Sequence, residues 1–546
     1  MDGLFRKAKA KIEKFVDEVQ KPDQPQSNHP PPHESHSHST GHHQPSSICE
    51  PSPLDILRYR YHHGTNLGSI YVIERWLHPS VFPDGASGSS ELEAVKTWVE
   101  RIGLDETKKK FEERWASAVS DDDIDWLVNE AKCTTIRLPI GYFDLPAAFL
   151  TQGTPFEPYA QVFAGAWDSI RTLISRLRAR SVGVLIDLHA LPGGANAQEH
   201  SGTNTGSADL WGSGHNRHLG VQCCKFIANE ARSGLDITGI QIINEAEWDS
   251  PGMYEWYDEC ISVVSSVDPS IPVIISDGWN LGRAVDWTLG KNAAYPHHPT
   301  CPVIIDTHYY WAFSDEDKQK SPQQIISEVP SKLSELNGKE GSVHDRGAVQ
   351  VIVGEYSCVL TEDSWGKCGD ESRQDLVKKF GEAQSQTWQC RAGGSFFWTW
   401  KMDWMPGGEW GFKAQSDPEN RALSRPSHSL IPHHDVHGLL EKANHCREER
   451  KSAAVGQHCS YWDHTAPGTN FEHWRYENGW NVGYDDARAF FEGRGAQGVA
   501  PGNKIGNLEM WVLKRIRENG ARGGFIWEFE QGLRKGVQDF QDVVGI

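Results

Sequence analysis

The stretch Ile240-Gln241-Ile242-Ile243-Asn244-Glu245-Ala246 decides how the rest of the chain is read. A β-branched apolar run reads as a buried strand, and this one ends in an amide and a carboxylate instead of the turn residues that normally stop such a strand. A second run, Val351-Ile352-Val353-Gly354-Glu355-Tyr356, repeats the arrangement. Two apolar strands that each deliver a glutamate at the C-terminal end are what two-carboxylate hydrolysis on a barrel requires. The competing reading, two surface glutamates that merely follow strands, has to be weighed against the rest of the chain.

From about residue 60 the same unit recurs. Short β-branched segments at 63–68, 134–139, 183–189, 237–244, 271–277, 303–308, 349–355 and 394–400 alternate with helical stretches such as 121–132, 159–180 and 253–267. Eight strands in this alternation predict an α/β chain whose body is a (β/α)8 TIM barrel. A doubly wound sheet would carry a Gly-rich phosphate turn after its first strand, and none follows here. A barrel also demands that chemistry collect at the C-terminal strand ends. In chain order those ends present Asn66 and Glu74, Arg137, His189, Asn244 and Glu245, Asp277 and Trp279, His308 and Tyr310, Glu355, then Trp398 and Trp400. A barrel built only for stability would not place polar groups at so many successive edges.

Composition narrows the function. The formal charge of −20 argues against nucleic acid or an anionic membrane as the main partner, and suits a neutral substrate. The 22 Trp residues supply a large core and flat faces on which sugar rings stack. No apolar run approaches transmembrane length. The first 20 residues lack the apolar segment of a signal peptide, no Asn-Xaa-Ser/Thr acceptor occurs, and the 11 Cys are scattered without metal-type spacing. These features predict a reduced, cytoplasmic protein.

In chain order, the strand-end motifs are Gly64-Thr65-Asn66-Leu67-Gly68 with Glu74-Arg75-Trp76, Ile136-Arg137-Leu138-Pro139, Asp187-Leu188-His189-Ala190, Pro192-Gly193-Gly194-Ala195-Asn196, Asn244-Glu245, His308-Tyr309-Tyr310, Gly354-Glu355 and Phe397-Trp398-Thr399-Trp400. Over roughly residues 60–425 this order resembles glycoside hydrolase family 5, and within it the fungal exo-β-1,3-glucanases, whose members are often secreted or wall-associated. The resemblance implies a retaining enzyme with Glu245 as acid/base and Glu355 as nucleophile, acting on a β-glucan or β-glucoside without metal or cofactor. It places Asn244 at a sugar 2-hydroxyl, His189 and His308 along the same subsite, Glu74 and Asn196 at distal hydroxyls, and Trp398 as a stacking floor. Trp279 and Trp410 are left open between sugar contact and packing. The chain departs from the family at Ala246, where proline is usual, and in the loops 194–200 and 401–412.

The physical reading runs parallel. Arg137 beside Glu355 supplies a fixed positive charge that suits an attacking carboxylate, and Tyr310 is placed to donate a hydrogen bond to it. Glu245 needs a raised pKa to hold a proton, and repulsion from Glu355 would raise it.

The flanks read differently. Residues 1–50 comprise a basic amphipathic segment over 1–20, able to touch a membrane surface or a partner, and a disordered Pro/His/Ser-rich linker. The barrel is assigned to 51–425, a connecting loop to 426–470, and a small α-helical appendage to 471–546 on the spacing of Trp480, Tyr484, Ala487 and Phe491, of Ile505, Leu508, Trp511 and Val512, and of Phe525, Phe529, Leu533 and Val537. Two other functions stay open: an intracellular β-glucosidase on a glucolipid or other small glucoside, and a catalytically silent glucan-binding barrel.

Overall fold

The computed structural model describes residues 48–419, 421–493, 500–520 and 522–546. The amphipathic segment 1–20 and nearly all of the linker lie outside the described residues. Eight strands are present among the described residues: β1 (His62–Thr65), β2 (Thr135–Gly141), β3 (Gly183–Ala190), β4 (Gly239–Gln241), β5 (Val273–Ser276), β6 (Val303–Trp311), β7 (Val351–Leu360) and β8 (Gly394–Phe397). They pair in parallel, each with its successor from β2 to β8, and β8 pairs with β1. The ring closes where the Thr134 amide donates to the His63 carbonyl and Leu67 to Arg137. Val/Ile-rich runs suit β3 and β5 to β7 because both faces of a parallel sheet are covered.

Side-chain alternation sorts the interior into layers. On β3 the period of two places Leu185, Asp187 and His189 on one face, and on β6 it places Ile304, Asp306 and His308 on one face. Leu185, Ile274, Ile304, Ile352 and Phe396 form an apolar floor and share one cluster with Tyr59, Ile505 and Trp511. Above the floor the side chains are charged, and above those lies the mouth.

The C-terminal helices close the floor from below. Tyr61 donates to the Lys504 carbonyl and Gly506 to that of Tyr59, so residues 504–506 lie directly against the start of β1. The helices Trp474–Glu492 and Ile526–Val544 meet backbone to backbone. A Cβ on Gly479 would collide with the Phe529 carbonyl, and one on Gly532 with that of Tyr476, so small residues on both partners set the approach. The expected C-terminal helices are present as Trp474–Glu492, Leu508–Asn519 and Ile526–Val544. The expected connecting loop is corrected: His433–Thr465 is one long helix. Its buried side chains are sparse (Val436, Leu440, Ala443, Ala454, His458, Trp462), so no apolar stripe announces it. Among the described residues no helix is long and apolar enough to cross a membrane.

Candidate active site

Arg137, from the middle of β2, organises the charged layer. Its side chain is fully buried, and a buried guanidinium is costly unless every donor is paired. Nη1 donates to Asn66 Oδ1 at 2.8 Å and Glu355 Oε1 at 2.9 Å, Nη2 to Asn244 Oδ1 at 2.7 Å, and Nε to Gln241 Oε1 at 2.9 Å. Asp187 Oδ2 lies 3.0 Å and Asp306 Oδ2 3.7 Å from Nη2. Burial works against the guanidinium charge, but Asp187, Glu355 and Asp306 outweigh it and raise the pKa. The sequence assigned no role to Asp187, Gln241 or Asp306, although Asp187 and Gln241 lie in the stretches quoted above. The available signal was strand alternation, which puts Asp187 and Asp306 one inward position below His189 and His308.

Glu355 is held from both sides. Arg137 takes Oε1, and the Tyr310 hydroxyl donates to Oε2 at 2.7 Å. Burial and the nearby Glu355 and Glu245 push the phenol pKa well up, so Tyr310 remains a donor.

Glu245 sits just past β4 with φ of 42°, a left-handed conformation that a non-glycine residue adopts only when its surroundings impose it. Here the Asn196 amide donates to the Glu245 carbonyl at 2.9 Å, and the Ala246 amide donates to Ser276 Oγ at 3.2 Å. Asn196 also accepts from the Gln198 amide at 2.9 Å, so its side chain fixes the backbone of Glu245. The Glu245 carboxylate lies between two imidazoles: His308 Nδ1 at 2.8 Å from Oε1 and His200 Nε2 at 3.2 Å from Oε2. Burial opposes the charge, yet these two partners hold the pKa well below the usual carboxylate range. The expectation of a raised pKa is therefore corrected: repulsion from Glu355 is outweighed by two cations, one of which, His200, the sequence reading did not place here. Burial also disfavours charge on the imidazoles, but the carboxylates win. Glu355, Asp306 and Glu245 raise His308 well above its ordinary value, and Glu245, Glu74 and Glu355 raise His200 to about 9. The cluster thus titrates as one unit, with its protons on the histidines.

The remaining candidates line the same mouth. His189 Nδ1 donates to Asp187 Oδ2 at 2.7 Å, which leaves Nε2 to face the Asn244 amide at 3.5 Å. The His189 ring stacks on Trp398, 5.7 Å between centroids and 8° from parallel. Glu74 is buried and accepts from Trp76 Nε1 at 2.8 Å, while its Oε1 has no partner in the protein, and burial raises its pKa. Trp410 packs edge-on against Trp76, whereas Trp279 is 51% exposed with its face perpendicular to His308. Trp76, Trp248, Phe313 and Trp404 are exposed on loops that follow β1, β4, β6 and β8, so the mouth has an aromatic rim.

One polar atom from each of Glu245, His308 and Glu355 lies within 4.8 Å of the other two. Each of the three is already engaged by Arg137, Tyr310, Asp306 or His200, and two-carboxylate chemistry needs no metal there. Two carboxyl groups about 5–5.5 Å apart are the spacing of a retaining glycosidase, close enough for one to attack while the other transfers a proton.

A (β/α)8 barrel with paired carboxylates at β4 and β7, one clamped by an arginine and a tyrosine, defines an O-glycosyl hydrolase. Residues 93–401 match the family described as Cellulase (glycosyl hydrolase family 5), and the chain belongs to that family. Residues 443–544 match the Glucan 1,3-beta-glucosidase 3 C-terminal domain. The chain is 31% identical to an uncharacterised glycosyl hydrolase of Saccharomyces cerevisiae, across 89% of this chain and 92% of that one. It is also 31% identical to Glucan 1,3-beta-glucosidase 3 of Schizosaccharomyces pombe, across 88% of this chain and 95% of that one. A Probable glucan 1,3-beta-glucosidase A of Aspergillus clavatus is 28% identical across 63% of this chain and 83% of its own length.

Proposed function

We propose that the chain is a retaining β-glucoside hydrolase that releases glucose from the end of a β-1,3-linked glucan. The observation that carries this reading is the facing pair Glu245 and Glu355, with Glu355 clamped by Arg137 and Tyr310. In the first step Glu355 attacks the anomeric carbon, the bond to the leaving oxygen breaks, and Glu245 delivers a proton to that oxygen. In the second, Glu245 takes a proton from water, and the resulting nucleophile displaces Glu355 with overall retention. The Asn244 carbonyl oxygen is held by Arg137 and one amide N–H faces His189 Nε2, which leaves the second N–H to donate to a 2-hydroxyl, a contact that strengthens as the transition state gains oxocarbenium character. Glu74, with one unpartnered buried oxygen, suits a distal hydroxyl, and the His189–Trp398 stack suits the ring face. The β-1,3 linkage is the one for which the relatives of Schizosaccharomyces pombe and Aspergillus clavatus are named.

The aromatic rim favours a second substrate reading, a glucoside with an apolar aglycone such as a glucolipid, because Trp76, Trp248, Trp279, Phe313 and Trp404 offer exposed ring faces around the mouth. Purified protein should be assayed on laminarin, gentiobiose, cellobiose and a glucosylated lipid, with the released anomer followed by NMR. Laminarin as the best substrate, with β-glucose formed first, supports the proposal. Preference for the lipid moves the assignment to the second reading, α-glucose formed first defeats the double displacement, and inactivity on the whole panel points to a silent barrel. We place the enzyme in a reducing, cytoplasmic compartment, a reading supported by eleven cysteines that are all free thiols.

A further inference from the structure

The depressed pKa of Glu245 poses a chemical problem that the two-carboxylate scheme does not answer. An acid/base residue must carry a proton when the glycosidic bond breaks, and this one is held as a carboxylate. His200 supplies the missing part. It comes from the loop after β3, its Nε2 faces Oε2 of Glu245 at 3.2 Å, and its Nδ1 is buried without a partner in the protein. The groups that face it are Glu245 from the end of β4, Glu74 from the loop after β1, Glu355 from β7, and the His189 ring from β3, 5.4 Å away between centroids.

His308, on the other side of Glu245, is differently placed. Its Nε2 lies 2.9 Å from Asp306 Oδ2, and its Nδ1 is shared between Glu245 at 2.8 Å and Glu355 at 3.6 Å. Fixed carboxylates at both ring nitrogens hold that proton in place. His200 touches one carboxylate only, so its proton is the one free to leave.

We propose that His200 is a positioning residue for the acid/base: its Nε2 clamps Oε2 of Glu245 and stores the proton that Glu245 passes to the departing oxygen. This rests on the glycosidase reading above. In the first step the carbon–oxygen bond to the aglycone breaks as Glu355 bonds to the anomeric carbon. The proton on His200 Nε2 moves through the Glu245 carboxylate to the leaving oxygen, which departs as a neutral alcohol. In the second step a water proton returns through Glu245 to Nε2 while the remaining hydroxide displaces Glu355. One water is consumed, and His200 ends protonated as it began. The raised pKa of His200, to about 9, keeps this store filled at neutral pH.

The test compares wild type with His200→Gln, which keeps a hydrogen-bond donor beside Oε2 but holds no titrating proton. Each is assayed with 2,4-dinitrophenyl β-glucoside, whose leaving group needs no acid, and with phenyl β-glucoside, which does need one. Because the two rates come from one preparation, their ratio is independent of the fraction folded. His200→Gln should lose about 10–100-fold more kcat/KM on the phenyl substrate than on the dinitrophenyl one. The alkaline limb of its phenyl profile should also move to lower pH. Equal losses on both substrates, or an alkaline limb that does not move, would overturn the proposal and leave His200 as loop structure. Wild type inactive on both aryl glucosides would instead refute the glycosidase reading itself.

Discussion

The chain builds the same triplet twice. In the barrel mouth Glu245 lies between His200 and His308, and in the C-terminal helices Glu528 lies between His458 and His473. Distances barely separate them: His458 Nε2 and His473 Nδ1 approach Glu528 Oε2 at 2.9 and 2.7 Å. Both helical imidazoles approach one oxygen, whereas in the mouth each takes its own, and the surrounding charge differs: among the described residues the helical triplet has only the exposed Asp463 beside it. The mouth gathers Glu74, Glu355 and Asp306 around its triplet, and these outweigh burial and raise the imidazoles. The helical triplet is packed among rings, with Tyr476 stacked on His458 at 3.8 Å and Phe471 on His473 at 5.2 Å. There burial dominates, and the His458 pKa falls. Glu528 is also saturated, its second oxygen accepting from the Glu472 amide at 2.9 Å. Three identical side chains make a proton store where excess carboxylate surrounds them, and a staple between helices where aromatic rings do.

The largest expected effect tests the catalytic side of this contrast. Glu355→Gly should abolish hydrolysis of unactivated glucan, and azide with an activated aryl β-glucoside should yield the α-glucosyl azide. Glu245→Ala should lose about 10²–10⁴-fold on unactivated glucan and give the β-glucosyl azide instead. The same anomer from both variants would overturn the assignment.

Glu528→Ala should do the opposite. It leaves the buried His458 and the Glu472 amide without their acceptor, while His473 keeps Asp463, so stability should fall by roughly 1–3 kcal/mol in denaturant titrations. The kcat of the molecules that remain folded should be unchanged; a parallel fall in kcat would mean that the helical layer reaches the site.

The two triplets should also respond to pH in opposite directions. His200 has a folded pKa of about 9 against an ordinary 6.5, so its contribution is complete below about 6.5 and is lost as pH rises through 9. His458 has a depressed pKa, so its contribution is present above about 6.5 and is lost as pH falls through the folded value. Thermal melts should show His200→Gln lacking part of the wild-type decline on the alkaline side, and His458→Gln lacking part of the decline on the acid side. Identical pH dependence in the two variants would erase the distinction.

The smallest effect is chemical. Thiol titration of denatured, unreduced protein should find nearly all eleven cysteines reactive, and several protected pairs would contradict the reducing compartment.

Much of this architecture is legible in one dimension. Strands β2 to β7 fall where apolar, β-branched runs alternate with helical spacing, because a strand buried on both faces is mostly apolar, whereas β1 (His-His-Gly-Thr) and β8 (Gly-Ser-Phe-Phe) carry no such run. Glu245 and Glu355 stand out because a carboxylate at the end of such a run has no packing reason to be there. Asp187 and Asp306 were legible only in part, since they lie inside apolar strands and their purpose is visible only once Arg137 is seen beneath the mouth. The helix His433–Thr465 was missed because it buries few side chains along 33 residues.

The sequence by itself therefore determined the barrel, its strand ends, and the two carboxylates that stand at them. All three follow from local periodicity and from which residue types interrupt it. Only the tertiary structure decided the electrostatics. His200 arrives on a loop with no periodicity; its raised pKa comes from Glu245, Glu74 and Glu355 on three other strands or loops, and the depressed one of Glu245 comes from His200 and His308. A pKa sums charges across space, and neighbours in space are what a sequence does not record.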